Sequence, residues 1–93
     1  MSRVLVSTAR FRHAYHRLQG PDRRLVDHAL AGLAEYLEAG HAAVGLGIKK
    51  LGPDMFELRA GLGLRIVYVE EGSRVMLALL GNHDEVRRFL RRQ

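Results

Sequence analysis

The sequence predicts an α+β domain in which an antiparallel sheet packs against an α-hairpin, in the order β-α-α-β-β-β with a C-terminal helix. First, three apolar runs between residues 54 and 83 are separated by short glycine-containing breaks, a pattern typical of a β-meander. Second, two apolar stripes at helical spacing precede these runs. Third, a shorter stripe of the same kind follows them. An α-hairpin on one face of the sheet would bury both apolar surfaces in a single core.

Length and composition limit the chain to one domain. We expect residues 1–93 to form a single domain, because 93 residues support one hydrophobic core. The absence of cysteine excludes a disulfide framework and thiolate chemistry. No apolar run approaches the roughly 20 residues of a membrane-spanning helix, and the N-terminus does not resemble a secretory signal. We therefore expect a cytoplasmic protein with no membrane association.

The chain is basic. Fifteen Lys and Arg against ten Asp and Glu give a formal net charge of +5. Thirteen of the fifteen cations are arginines, which bind phosphate through two parallel hydrogen bonds more readily than lysine does. This balance fits a protein whose partner is nucleic acid or an acidic protein.

The N-terminal part predicts one strand and a first helix. Residues 3–6 are short, apolar and β-branched, as expected of a first or edge strand. Ser7 or Thr8 can then cap a helix. The apolar stripe of this helix lies at i, i+3, i+4 and i+7: Phe11, Ala14, Tyr15 and Leu18.

A second helix is predicted from Pro21 to about Glu38, with Gly40 as its stop signal. Its apolar face is broad enough, together with that of the first helix, to cover one face of a sheet. The stretch from His41 to Gly47 is a connection of small residues.

Loop lengths predict the register of the meander. If residues 61–63 form a three-residue loop, Arg59 lies directly opposite Arg65. If residues 71–72 form a two-residue loop, Tyr68 lies opposite Val75. Both registers place one apolar set on a common face that must be covered. These residues are Phe56, Leu58, Ala60, Leu64, Ile66, Tyr68, Val75, Leu77 and Leu79.

The other face of the sheet holds the opposed pair Arg59 and Arg65. Like charges directly across a strand pair destabilise a sheet by up to about 1 kcal/mol, so a negative group is expected nearby. Either Glu57 or water compensates the charges, or the two guanidinium groups form a cradle for a phosphate or an acidic partner. The same face carries apolar side chains that suggest a covering partner segment: Val67, Met76 and Leu80.

A terminal helix is predicted after the third meander strand. Asn82 is a good N-cap, and Glu85 three residues later completes a capping-box pattern that places His83 in the first turn. The predicted register puts His83 five residues beyond the position opposite Arg65, more than about 10 Å away at a rise of roughly 3.3 Å per residue. Asp84 either orients the imidazole or complements the helix dipole.

These residues suggest metal-independent RNA cleavage. His83 can exchange protons near neutral pH, and Arg59 and Arg65 can stabilise charge on a phosphate. A local hydrogen-bonding role for His83 is the alternative. His13 and His16 are three apart on a helix, but no third metal ligand is indicated, so we expect neither a metal nor a small-molecule cofactor. Additional phosphate contacts are expected from Lys49, Lys50, Arg87 and Arg88.

The chain resembles the RelE/ParE superfamily of bacterial toxin-antitoxin toxins. The element order, the strand pair FELRAGLGLRIVY and the segment LLGNHDEVRRFL carry the resemblance, which extends over nearly the whole chain. It implies a small basic toxin that a cognate antitoxin protein neutralises. For the RelE branch it implies metal-independent cleavage of mRNA on the ribosome, with rRNA contacts.

The resemblance also implies site residues. Arg65 and Arg59 match arginines of adjacent strands, and His83 matches a position used for phosphate contact or proton transfer. The sequence departs from RelE where that toxin has two strand lysines, here Met55 and Glu57, and a catalytic tyrosine, here near Phe89. A histidine-centred variant of the mechanism is therefore expected.

Two rival functions remain open. A ParE-like relative would inhibit DNA gyrase by protein contact and trigger a DNA-damage response, whereas the endonuclease would stop translation first. A degenerate relative would keep only antitoxin or RNA binding, and would leave a message intact on purified ribosomes.

Overall fold

A computed structural model describes residues 3–40 and 46–92 of the chain. The strands form a five-stranded sheet in the order β1-β5-β4-β3-β2, and β1 runs parallel to β5 while the other pairs are antiparallel. The elements are β1 Val4–Ser7, α1 Ala9–His16, α2 Gly20–Ala39, β2 Ile48–Lys50, β3 Met55–Ala60, β4 Leu64–Glu71, β5 Arg74–Gly81 and α3 His83–Arg91.

The predicted α+β class and element order are confirmed, with two refinements. The sheet is mixed, because β1 joins it parallel to β5. Strand β2 is additional; its three residues include a single apolar side chain, too little alternation to be recognised as a strand. No helix within the described part of the chain combines the length and apolarity needed to cross a membrane.

Local capping signals set the ends of the α-hairpin as predicted. The Thr8 side chain accepts a hydrogen bond from the backbone N–H of Phe11 at 3.1 Å and so caps α1. Gly40 ends α2 in the left-handed region with φ of 78°. The hairpin covers one face of the sheet, and its main core residues from the helices are Phe11, Val26, Ala29 and Leu33.

The β4–β5 pairing differs from the predicted register. The two-residue loop is Gly72–Ser73, so Tyr68 lies opposite Leu77 and not opposite Val75. A β-bulge between Val67 and Tyr68 then shifts the pairing by one more residue. Beyond the bulge, every β5 side chain changes face relative to the prediction.

The bulge exchanges the roles of two adjacent leucines. Leu80, predicted on the arginine side, packs in the main core under the α-hairpin. Leu79, predicted for that core, lies opposite Val67 on the arginine side. There Leu79 and Val67 are buried with Val86 of α3. Helix α3 therefore packs on the face of the sheet that carries Arg59 and Arg65.

This packing corrects the expectation that a partner covers an apolar patch on the arginine side. Val67 is fully buried, because the chain's own helix α3 covers it. Leu80 does not belong to this face at all. Leu90 and Phe89 extend the contact, together with Leu51 and Met55. Of the three predicted patch residues, Met76 alone lies partly exposed outside these clusters.

The buried ring of Tyr68 predicts alkaline sensitivity. Burial raises the pKa of the Tyr68 hydroxyl well above its ordinary value of 10.0. The folded state holds this proton more tightly than the unfolded state, so its stabilising contribution is complete below pH 10 and is lost as the pH rises above that value. Tyr68→Phe should flatten the fall of stability above pH 10 in urea titrations; identical pH profiles would contradict this.

Candidate functional site

The predicted arginine pair lies at the centre of one row across the sheet. Arg59 on β3 is directly opposite Arg65 on β4, as predicted, and Arg65 is directly opposite Gly81 on β5. Paired residues project on the same side of a sheet. Both arginines therefore share the face on which α3 packs, about one strand spacing of roughly 4.8 Å apart in the backbone.

Arg65 is largely shielded from solvent. Its side chain is 12% exposed, and its Nε lies 3.9 Å from a carboxylate oxygen of Glu57, an ion pair longer than a hydrogen bond. Its Nη1 donates hydrogen bonds of 3.2 Å to the backbone carbonyls of Leu62 and Leu64. These contacts hold the guanidinium group at the sheet surface, and within the described residues they leave the edge formed by Nε and Nη2 without a hydrogen bond.

Glu57 is the negative group that the arginine pair requires. It lies opposite Val67, diagonally across from Arg65, and its side chain is 12% exposed. On its other side, Glu57 is paired with Lys49 of β2. The sequence indicated Glu57 as one way to compensate the charges, and the structure shows the contact with Arg65.

Arg59 is the exposed member of the pair. Its backbone N–H donates to the carbonyl of Gly47 at 3.2 Å, and Gly47 adopts φ of 72°. A Cβ on Gly47 would lie 3.5 Å from the Cβ of Arg59, so the arginine side chain passes beside a residue without a side chain. The whole Arg59 side chain is therefore accessible to a polyanion, whereas Arg65 offers only one edge of its guanidinium group.

The structure brings His83 much closer to the arginines than the predicted register allowed. Arg65 pairs with Gly81 and not with Ala78, so His83 lies two residues beyond the arginine row instead of five. The Cα atoms of Gly81 and His83 are therefore at most about 7 Å apart, because even an extended chain advances only about 3.3 to 3.6 Å per residue. The register error thus removes the geometric objection to a shared site.

A capping box fixes His83 as the exposed first residue of α3. The Asn82 side chain accepts from the Glu85 N–H at 2.8 Å, and the Glu85 carboxylate accepts from the Asn82 N–H at 2.9 Å, as predicted. Asp84, in the same turn, carries the negative charge that a helix N-terminus favours.

Gly81 allows this capping box to form beside the arginine row. A Cβ on Gly81 would lie 2.9 Å from the Glu85 Cβ and 3.0 Å from its Oε1. Sequence reasoning missed this role, because the reason for the glycine is a contact with a helix that packs back over the strand. Gly81 is buried, and its backbone lies directly beneath the Glu85 side chain.

Gly81→Ala should lower the free energy of unfolding by about 1 to 2 kcal/mol, because the added methyl displaces Glu85 and breaks the reciprocal cap. Urea denaturation measures the change. Gly63→Ala is the matched control, since a Cβ there meets nothing within 4 Å and should have little effect on stability. Equal stability of both variants would show that the cap of α3 adjusts freely.

The remaining predicted phosphate contacts divide between the two sides of the sheet. Lys49 is paired with Glu57 on the arginine side, whereas Lys50 is paired with Phe56, whose side chain packs toward the α-hairpin. On α3, Arg87 and Arg88 are both exposed. Arg87 is four residues from His83 and therefore on the same helical stripe, while Arg88 is not.

Within residues 3–40 and 46–92, no three His, Asp or Glu side chains converge in a group that could ligate a metal ion. His13 and His16 are both exposed on α1, in the layer on the other side of the sheet from α3. The candidate site includes the side chains of Arg59, Arg65, Glu57 and His83.

No family model matches the chain, and no curated protein matches it in sequence. Solved structures match it in fold. The E. coli toxin RelE in its free state is 18% identical, with a TM-score of 0.68 over 97% of this chain and 93% of that one. The YoeB dimer from Staphylococcus aureus is 18% identical, with a TM-score of 0.68 over 89% of this chain and 99% of that one.

A third match is a chain of the E. coli DinJ-YafQ toxin-antitoxin complex. It is 8% identical, with a TM-score of 0.70 over 92% of this chain and 98% of that one. These matches span nearly the full length of both compared chains, so the similarity concerns the whole fold and not a shared fragment. The chain has the fold of the RelE-superfamily toxins.

Proposed function

We propose that this protein is the toxin of a toxin-antitoxin pair and that it cuts mRNA bound to the ribosome, without a metal ion. The observation that carries the proposal is the row formed by Arg59, Arg65 and Gly81, with His83 two residues beyond it. The two guanidinium groups carry permanent positive charge, and the imidazole of His83 is a group that can give or accept a proton. Stabilising a charged phosphorane and transferring a proton require this minimum set.

The cognate antitoxin is the proposed protein partner. Several structures with this fold were solved as toxin-antitoxin complexes, among them RelB-RelE from Methanococcus jannaschii and YoeB-YefM from Staphylococcus aureus. The net charge of +5 favours an acidic partner segment as well as RNA. We place the protein in the cytoplasm, where ribosomes and messages are available to it.

One observation favours a second candidate function. Arg65 is 12% exposed and paired with Glu57, so a relative that binds RNA or antitoxin without cleaving also fits the site. That candidate predicts binding without product. A ParE-like gyrase inhibitor predicts neither RNA binding nor cleavage.

Purified ribosomes programmed with one end-labelled message separate these functions. The proposed toxin should produce a discrete cut in the message, and only when ribosomes are present. Addition of the cognate antitoxin should abolish the cut. An intact message with retained ribosome binding would support the non-cleaving candidate, and an intact message with inhibited gyrase supercoiling would support the ParE-like one.

A further inference from the structure

We propose that the cavity between α2 and the end of β3 binds a guanosine nucleotide, with the guanine base inside the cavity and its phosphate on Arg59. The nucleotide is either part of the message or free in solution, and separate experiments distinguish these two sources. For the message, the inference rests on the proposed function, because the base then belongs to an RNA that the protein cuts. Binding of a free nucleotide is measured without ribosomes, so the site is tested independently of cleavage.

The cavity has room for a nucleotide. Its volume is about 640 Å³, within the range of roughly 300 to 1,000 Å³ that is typical of small-molecule sites. Five of the lining residues carry nothing larger than a methyl group: Ala29, Ala31, Gly32, Ala60 and Gly61. Larger side chains at these positions would fill the space, as they do in an ordinary close-packed core. The space between the helix and this end of the sheet is therefore open to a ligand.

Two leucines form apolar walls of the cavity. Leu25 contacts Gly61 and Leu46 contacts Gly32, since a Cβ on either glycine would lie 2.8 Å from the Cδ1 of the leucine. Residues 25 and 32 are seven positions apart, so about 10.5 Å of α2 separates the two contacts. A planar base can pack its faces against such aliphatic walls, while its polar edge stays available for hydrogen bonds.

Two polar side chains of α2 also line the cavity. His28 and Glu35 lie on the same stripe of the helix as Leu25 and Gly32, because successive spacings of three, four and three residues repeat on one face. Both are exposed, and within the described residues neither forms an ion pair. They are therefore available to a ligand, the carboxylate as an acceptor and the imidazole as a donor.

The carboxylate of Glu35 selects the base. An ionised carboxylate only accepts hydrogen bonds, and it does so through two neighbouring oxygens. The Watson–Crick edge of guanine carries two neighbouring donors, the N1–H and the 2-amino group. The corresponding edges of adenine, cytosine and uracil have no two donors side by side. Guanine is therefore the base that Glu35 can bind through two parallel hydrogen bonds.

Arg59 supplies the phosphate contact, since this exposed residue lines the same cavity. Its guanidinium group is permanently charged and can bind a phosphate through two parallel hydrogen bonds. Arg59 also lies directly opposite Arg65, so the cavity adjoins the arginine row of the candidate site. A guanosine of the message that enters the cavity keeps its phosphate on this row, and a free nucleotide occupies the same arginine.

Titration of the isolated protein with mononucleotides measures the site directly. Guanosine 5′-monophosphate should bind about 10- to 100-fold more tightly than adenosine 5′-monophosphate, the discrimination expected of one bidentate contact to a base. In heteronuclear NMR spectra it should shift the amide signals of Gly32, Gly47 and Gly61, which line the cavity. Equal affinities for the two nucleotides, no binding of either, or shifts confined to other residues would overturn the proposal.

Glu35→Gln and Ala31→Leu test the base contact and the space separately. The amide of Glu35→Gln replaces one acceptor by a donor, so the preference for guanosine over adenosine monophosphate should disappear. Ala31 is exposed and lines the cavity, so Ala31→Leu should fill the space and abolish the NMR shifts. Glu38→Gln and Ala39→Leu are matched controls on α2, because both residues are exposed and are not among the described residues that line the cavity.

Urea denaturation of all four variants shows that each is folded, and both controls should bind like wild type. Full retention of the guanosine preference by Glu35→Gln, or wild-type binding by Ala31→Leu, would contradict the inferred site. If Ala31→Leu does not fold, the result for Glu35→Gln decides the question.

The ribosome assay distinguishes the two sources of the nucleotide. If the message supplies it, wild-type protein should cut sites with an adjacent guanosine about 10- to 100-fold faster than the same sites with adenosine, and Glu35→Gln should remove this difference. If the nucleotide is free, added guanosine monophosphate should change the cutting rate of wild type but not of Glu35→Gln, whatever the adjacent base. If guanosine monophosphate binds as expected but every message stays intact, the proposed function fails and the site stands. If messages are cut but the two mononucleotides bind alike, this inference alone fails.

Discussion

Arg65→Ala should lower the rate of message cleavage by about 10²- to 10³-fold, equivalent to roughly 2.7 to 4 kcal/mol of transition-state stabilisation. Arg65 is held by the Leu62 and Leu64 carbonyls and by Glu57, so its free edge is fixed before a phosphate arrives. Such preorganisation makes a positive charge more effective than one on a mobile side chain. Single-turnover cleavage on programmed ribosomes measures the loss.

Arg74→Ala is the matched control for Arg65. Arg74 also lies 3.9 Å from a glutamate, but it is exposed and lies at the opposite end of the β4–β5 hairpin from the candidate site. We expect its removal to leave cleavage unchanged. Because Arg65→Ala leaves Glu57 without its partner, the urea stability of both variants should be measured beside the rate. Unchanged cleavage in Arg65→Ala would mean that Arg65 serves the fold or the antitoxin interface.

His83→Ala should lower the cleavage rate by about 10²- to 10⁴-fold, the range for loss of a general acid or base. His83 is exposed at the first position of α3, and the capping box that fixes this helix is formed by Asn82 and Glu85. The substitution should therefore leave stability and antitoxin binding intact. The assay is the same single-turnover cleavage, with growth arrest in cells as a second measurement.

His13→Ala is the matched control for His83, since His13 is an exposed histidine of α1 in the layer on the other side of the sheet from α3. It should cleave at the wild-type rate. Full cleavage and full growth arrest by His83→Ala would remove this histidine from the mechanism.

Short-range signals in the sequence determined a large part of this protein. The Thr8 cap, the Gly40 stop and the Asn82 capping box are local hydrogen-bonding or backbone requirements, and all three occur as predicted. The loop of residues 61–63 set the register that places Arg59 opposite Arg65. Each of these features depends on residues close together in the chain.

Only the tertiary structure decided the pairing of β4 with β5. Side chains alternate with period two, so pairing Tyr68 with Val75 or with Leu77 puts the same residues inside, and the apolar pattern cannot distinguish them. Leu79 and Leu80 are both apolar, so either can face the core. The β-bulge turns Leu79 to the arginine side and Leu80 to the main core. Helix α3 then packs over Val67 and Leu79. That choice places Gly81 beside Arg65 and leaves His83 two residues beyond the arginine row. The sequence pattern could not decide it, because the face that a strand buries depends on the element that covers the strand.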